Sequence, residues 1–275
     1  MVANRGRAMM GCKTLASGIG FSLVSFLFVL SDSNAVEQTR FTIGFVTPES
    51  VRIKLINGKP AEEKPGWFVE WSRRAGKLCN IEIDYVQMPW SRQMKEVADG
   101  TLSAALNSSY KEERTKFGVY PMLSGKPDKS RSYLNYTYWL YFNTSSVDAD
   151  LTERSILQGR SVVTERGASI VDGLKESGAE VYEMAKYETM LRMVEKERVD
   201  AALAVGVVVD PIIKSNVDYR IKIRKASVPY LEKIGYVMFS KKLYEQNPEP
   251  IECFWTKSAE LKATDWFKTM KSSYD

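Results

Sequence analysis

The chain has 275 residues, with 39 basic and 34 acidic side chains, three cysteines and no histidine. The missing histidines exclude Ser-His-Asp and Cys-His nucleophile systems, His-ligated zinc and an imidazole base. A hydrophobic fraction of 44% with 27% charged residues is that of an ordinary globular protein, and a dispersed net charge of +5 gives no basis for nucleic-acid binding.

Arg5, Arg7 and Lys13 precede an apolar run from Leu15 to Leu30, and Ser33-Asn34-Ala35 offers small residues for cleavage. This pattern is read as a cleavable secretory signal peptide, residues 1–35. The run of 16 residues, interrupted by Ser17, Gly18, Gly20, Ser22 and Ser25, is short of the roughly 20 apolar residues a spanning helix needs. Stable membrane insertion after cleavage is therefore not expected. Loss of Arg5, Arg7, Lys13 and Asp32 with the leader leaves a net charge of +3. Cys79 and Cys253 remain, in a compartment that permits disulfides. From sequence they are either two buried thiols or one bridge.

The remainder alternates strand-like and helix-like segments, which indicates an α/β protein. Phe41–Val46 reads as a strand and Trp67–Leu78 as a helix, from apolar positions at Trp67, Phe68, Trp71, Ala75 and Leu78. Ile81, Ile83 and Tyr85 alternate with Glu82 and Asp84 in a half-buried strand. A helix capped by Ser91 runs to Ala98 and stops at Asp99-Gly100. Ala104–Ser108 and Lys116–Tyr120 are extended, residues 124–132 form a loop, and Tyr136–Asn143 is an aromatic strand. A second series follows: strands at Ser161–Thr164, Glu180–Tyr182 and Ala201–Val205, with helices at Ser169–Ser177 and Glu188–Lys196 between them. Asp210–Ser215, Tyr219–Arg224 and Gly235–Ser240 continue the alternation, and Glu249–Leu261 with Thr264–Met270 closes the chain as two amphipathic helices.

The segment Pro89-Trp90-Ser91-Arg92-Gln93-Met94-Lys95-Glu96-Val97-Ala98-Asp99-Gly100 leads into Asn107-Ser108-Ser109-Tyr110-Lys111-Glu112-Glu113-Arg114 and ends at Tyr120-Pro121. Gly66-Trp67-Phe68-Val69-Glu70 precedes this segment, and Glu165-Arg166-Gly167-Ala168-Ser169 and Arg198-Val199-Asp200-Ala201-Ala202 follow it, with a helical ending from Asn247. Together they resemble the family 3 extracellular solute-binding proteins, the periplasmic receptors of amino-acid-type ABC importers. The resemblance implies a two-lobed type II periplasmic-binding fold with two crossover hinge strands. Lobe 1 would comprise residues 36–135 and 237–275, and lobe 2 residues 136–236. It also implies a monomeric periplasmic protein that closes over a small polar, carboxylate-containing ligand and delivers it to an ABC permease, with no cofactor, metal or catalytic residue.

Arg114 matches the family's carboxylate-binding arginine. Its planar guanidinium can grip a carboxylate two-pronged, whereas the charge pattern alone, with Lys111, Glu112, Glu113 and Lys116 around it, favours a solvated arginine. Asn107 and Ser109 match the polar positions before it; ordinary turn chemistry is their alternative. Gly167 and Ser169 stand where a strand turns into a helix, so that free N–H groups or an N-cap are expected. Trp67 and Trp90 are candidate cleft walls, or core. One departure stands out: the family's acidic position for a ligand ammonium, five residues after Asp200, is Val205 here. Asp210 or another carboxylate must substitute, or the ligand is no standard amino acid. Two alternatives remain at this point. One is a dehydratase-like periplasmic enzyme on the same fold, with Glu165 as its acid or base. The other is a ligand-sensing partner of a membrane receptor.

Overall fold

The computed structural model describes residues 38–46, 52–146 and 157–274. The leader reading lies outside the described residues. Eight strands carry the architecture: β1 (Thr39–Phe45), β2 (Ile81–Gln87), β3 (Ala104–Ser109), β4 (Leu134–Asn143), β5 (Ser161–Glu165), β6 (Glu180–Met184), β7 (Ala201–Val205) and β8 (Leu231–Ser240). They lie in the order β6-β5-β7-β4-β8-β3-β1-β2, within a ten-stranded sheet that also takes in two short strands. The helices are α1 (Trp67–Leu78), α2 (Trp90–Asp99), α3 (Val171–Glu176), α4 (Tyr187–Glu195), α5 (Gly206–Ser215), α6 (Val217–Lys222), α7 (Lys241–Gln246), α8 (Glu249–Lys262) and α9 (Asp265–Ser272).

The outer strands pair in parallel, β1 with β2 and β3 on one side, β5 with β6 and β7 on the other. Parallel pairing requires crossover connections, and α1 and α2, then α3 and α4, supply them. The two longest strands, β4 and β8, join the halves. They pair antiparallel with each other from Leu134↔Gly235 to Tyr138↔Leu231. Beyond that stretch each takes a new neighbour. The far half of β4 pairs with β7, from Tyr138↔Val205 to Phe142↔Ala201. The far half of β8 pairs with β3, from Gly235↔Ser109 to Phe239↔Ala104. This exchange of partners makes β4 and β8 the two crossover strands of a two-lobed type II periplasmic-binding fold.

The apolar side chains divide in the same way. One core draws on a continuous stretch from Tyr136 to Ala226. The other joins Phe41–Tyr133 to Val237–Met270, and a smaller cluster around Trp90, Val97, Tyr236 and Met238 adjoins it. In that second core Trp71, 2% exposed, donates its indole N–H to the Ser258 carbonyl of α8 at 3.0 Å. A Cys79–Cys253 disulfide ties the end of α1 to α8, which resolves the open cysteine reading in favour of a bridge. Among the described residues, no helix is long and apolar enough to cross a membrane.

One local expectation is corrected. α2 begins at Trp90 with Pro89 in the N-cap position, so Ser91 lies inside the helix and caps nothing. Proline has no N–H to satisfy and its fixed φ suits a helix entry. By contrast, the stop at Asp99-Gly100 is observed, with Gly100 left-handed at φ 81°.

Candidate functional site

The crossover strand β4 contributes to the lining of a cavity between the lobes. Its water-centre volume is about 70 Å³, room for several waters at the ~10–15 Å³ each needs, and thus for a small molecule. Period-two alternation along β4 puts Tyr136 and Tyr138 on one face, and both line the cavity. Phe45, Trp90, Tyr133 and Tyr187 complete an aromatic wall. The charged lining residues are Arg52, Arg114 and Glu165.

Arg114 sits on a single helical turn, Glu112–Lys116, and is 5% exposed, so the solvated reading is excluded. Its guanidinium donates to the Ser109 carbonyl at 2.8 Å and, across the cleft, to the Gly167 carbonyl at 3.0 Å. It also lies over the Trp90 ring, 5.0 Å from the centroid, while the Trp90 indole N–H donates to the same Gly167 carbonyl at 3.1 Å. No carboxylate lies within ion-pair distance of Arg114 among the described residues. The guanidinium is therefore held by neutral groups only.

Other bonds cross the same cleft. The Ser109 hydroxyl donates to the Ser169 hydroxyl oxygen at 2.6 Å, and Lys233 from β8 donates to both Ser169 oxygens at 3.0 Å. At the rim, Lys111 pairs with Asp172 at 2.6 Å. Asn107 takes the left-handed conformation at φ 65°, which asparagine tolerates better than most residues. Its side chain abuts Gly235, where an added Cβ would fall 2.1 Å from the Asn107 Oδ1 atom. Glycine at 235 therefore permits the close approach of β8 to β3.

The structure brings most of the sequence candidates together. Arg114, Asn107, Ser169 and Trp90 line the cavity, and Ser109 and Gly167 hold them from behind. Three expectations are corrected. Trp67 is no cleft wall: it is 6% exposed in the α1 core, stacked on Tyr133 at 5.5 Å and edge-on to Phe267 at 6.1 Å. The Gly167 N–H is not free for a ligand, because it donates to the Glu183 carboxylate at 2.9 Å. Ser169 is not an N-cap, since Ile170 occupies that position and the serine hydroxyl is engaged by Ser109 and Lys233. Asp210, the named substitute for the missing acid, is spent elsewhere. It accepts from Lys225 at 2.6 Å and from the Tyr141 hydroxyl at 2.7 Å, and is not part of the lining.

Val205 does face the cavity, and so does Glu165. Burial pushes the Glu165 carboxyl from its ordinary 4.5 up to about 7, against the pull of the Tyr187 hydroxyl and the Arg114 guanidinium. An acid whose pKa rises on folding is stabilising in its protonated form. That contribution is complete below the unfolded value and is lost as pH climbs through the folded one. The ligand-free protein is expected to melt at progressively lower temperature from pH 5 to pH 8, and Glu165→Gln to flatten that slope. Thermal melts across this range check it; an equal slope in the variant would refute the assignment. Depressed carboxylates such as Asp128 and Asp200 act at the opposite end, their contributions being lost only as acid protonates them.

Sequence reasoning missed the tyrosines as ligand walls. The alternation of Tyr136 and Tyr138 was a usable signal once the strand was read as a crossover. Tyr133 and Tyr187 carried none, since their place at the cavity depends on long-range packing.

No family model and no curated protein matches the sequence. Solved structures match in fold. A histidine kinase sensor domain with similarity to periplasmic binding proteins superposes with a TM-score of 0.69 at 16% identity, covering 86% of this chain and 96% of that one. The amino acid ABC transporter substrate-binding protein AbpA from Streptococcus pneumoniae, bound to L-arginine, gives 0.64 at 15% identity over 86% and 94% of the two chains. The GluR0 ligand-binding core from Nostoc punctiforme, in complex with L-glutamate, gives 0.59 at 12% identity over 86% and 98%. At these identities the likeness is one of fold.

Proposed function

We propose that the protein is a periplasmic solute receptor, exported through a cleavable leader, whose lobes close over a small carboxylate-bearing molecule. The observation that carries this reading is Arg114: a buried guanidinium, without an acidic partner among the described residues, facing a small-molecule cavity between two lobes. A buried charge held only by neutral groups is costly, and a ligand carboxylate relieves that cost with a two-pronged bond. In this reading lobe 1 comprises residues 36–135 and 237–275 and lobe 2 residues 136–236, with β4 and β8 as the hinge. Ser109 and Gly167 position Arg114, and Asn107, Ser169 and Trp90 meet the ligand. The site binds and does no chemistry, and the protein works as a monomer that delivers its ligand to an ABC permease. Structures bearing this fold include transporter-associated binding proteins that hold amino acids, which supports the reading without naming this chain's ligand.

A thermal-shift panel of amino acids, dipeptides and organic acids tests it. A ligand at 100 times its dissociation constant should stabilise the protein by about 2.7 kcal/mol. A flat response to every carboxylate-bearing compound would sink the proposal. The sensory alternative draws support from the fold likeness to a kinase sensor domain. Uptake of the identified ligand by cells lacking the protein decides between the two: loss of uptake favours delivery, and normal uptake with a lost ligand response favours sensing.

A further inference from the structure

The cavity holds a second unpaired charge. Glu165 ends β5 and lines the cavity together with Arg114. Its Oε1 atom is buried and accepts no hydrogen bond, and no lysine or arginine lies within ion-pair distance of it among the described residues. The groups facing it are the Tyr187 hydroxyl from α4, Tyr138 from β4, and Arg114 from the turn after β3. Tyrosine hydroxyls and a shared guanidinium field soften the burial of a carboxylate but leave its acceptor atom empty. A cavity lined by a guanidinium without an anion and a carboxylate without a cation is complementary to one molecule that carries both charges.

We infer that Glu165 is the acceptor for an N–H-bearing cation on the ligand, filling the role that Val205 and the engaged Asp210 cannot, so that the receptor takes small zwitterions rather than simple acids. The inference rests on the receptor reading above and deepens it. The empty Oε1 atom asks for a hydrogen-bond donor, which a primary ammonium or guanidinium supplies and a quaternary ammonium lacks. The aromatic wall of Trp90, Tyr136, Tyr138 and Tyr187 shields that contact from water and favours a cation over it. Selectivity follows from the cost of leaving a buried charge unpaired: a ligand without the nitrogen strands Glu165 unless it protonates.

This linkage gives a signature that a purely structural glutamate would not show. Burial raises the Glu165 pKa to about 7 in the empty protein. A bound cation ionises it, so that binding at pH 7 should release about half a proton per ligand. The chain has no histidine to supply that proton instead.

The test is calorimetric titration of the full mature chain with the standard amino acids. Their counterparts are analogues lacking the α-amino group, analogues of arginine and lysine lacking the side-chain cation, and N-trimethylated betaines. Wild type should bind an amino acid roughly 30-fold or more tighter than the matched analogue lacking one cation, and tighter than its betaine. Glu165→Gln should erase that preference while still binding the deaminated acid. Titrations of wild type in buffers of different ionisation enthalpy should report the released proton, a readout that needs no variant. If deaminated acids or betaines bind as well as amino acids, or no proton is released, the inference fails while the receptor reading stands. If neither amino acids nor acids bind, both fail together.

Discussion

Replacing Cys79 and Cys253 together by serine should lower the melting temperature by roughly 10–20 °C. The bridge spans 174 residues of sequence. In the chain-entropy treatment, a closed loop of that size removes enough freedom from the unfolded chain to stabilise the native state by about 5 kcal/mol. A chain of this length shifts by about 2–4 °C for each kcal/mol. The native geometry supports the full effect, because α1 and α8 are already held together. Trp71 bonds Ser258, and Phe254 packs against Trp71 with ring centroids 6.5 Å apart. Removal of the sulfur bond therefore acts mainly on the unfolded ensemble. Calorimetry of the double variant against the oxidised protein is the measurement. A shift under about 2 °C, with two free thiols confirmed in a reduced control, would show that the unfolded chain gains little from the release.

The second large effect concerns Arg114. Arg114→Ala should weaken binding of the ligand found in the thermal-shift panel by roughly 100-fold or more, because it strands a carboxylate in a water-poor cavity. Arg114→Lys should fall in between, since an ammonium keeps the charge but cannot form the planar fork or lie flat on Trp90. The alanine variant also deprives the Ser109 and Gly167 carbonyls of a donor, so some loss of stability, about 1–3 kcal/mol, is expected alongside. The two losses separate in the lysine variant, which restores charge but not geometry. Titration calorimetry on both variants reads them. An affinity within threefold of wild type in Arg114→Ala would remove Arg114 from the site.

What the sequence revealed follows from which signals are local. The amphipathic spacing of Trp67–Leu78 and the alternation at Ile81–Tyr85 belong to single elements, and α1 and β2 appear where they were expected. The resemblance around Arg114 identified a guanidinium that charge pattern alone would have assigned to solvent. Its burial depends on Trp90 and on Gly167 arriving from the other lobe. Trp67 misled for the opposite reason, because an aromatic at a helix start fits a core or a cleft equally well, and only its packing between Tyr133 and Phe267, outside the cavity lining, decides between them. Glu165 was visible as a carboxylate beside the motif. Its lack of an ion-pair partner among the described residues is a property of four separate segments and leaves no trace in their spacing.

The pairing of Leu134 with Gly235 has a consequence for the order in which the protein takes shape. The core from Tyr136 to Ala226 comes from one continuous stretch, so all of its parts exist as soon as that stretch has emerged. The other core waits. β3, already paired with β1, gains its other neighbour only when β8 arrives, and α1 receives α8 later still. The half that begins the chain must therefore be the last to finish, holding the apolar faces of β1, β2 and α1 uncovered meanwhile. Long-range closures of this kind are slow and expose the intermediate to aggregation. The crossover strands β4 and β8, the hinge in the proposed reading, are thus also the seam along which the two halves are assembled at different times.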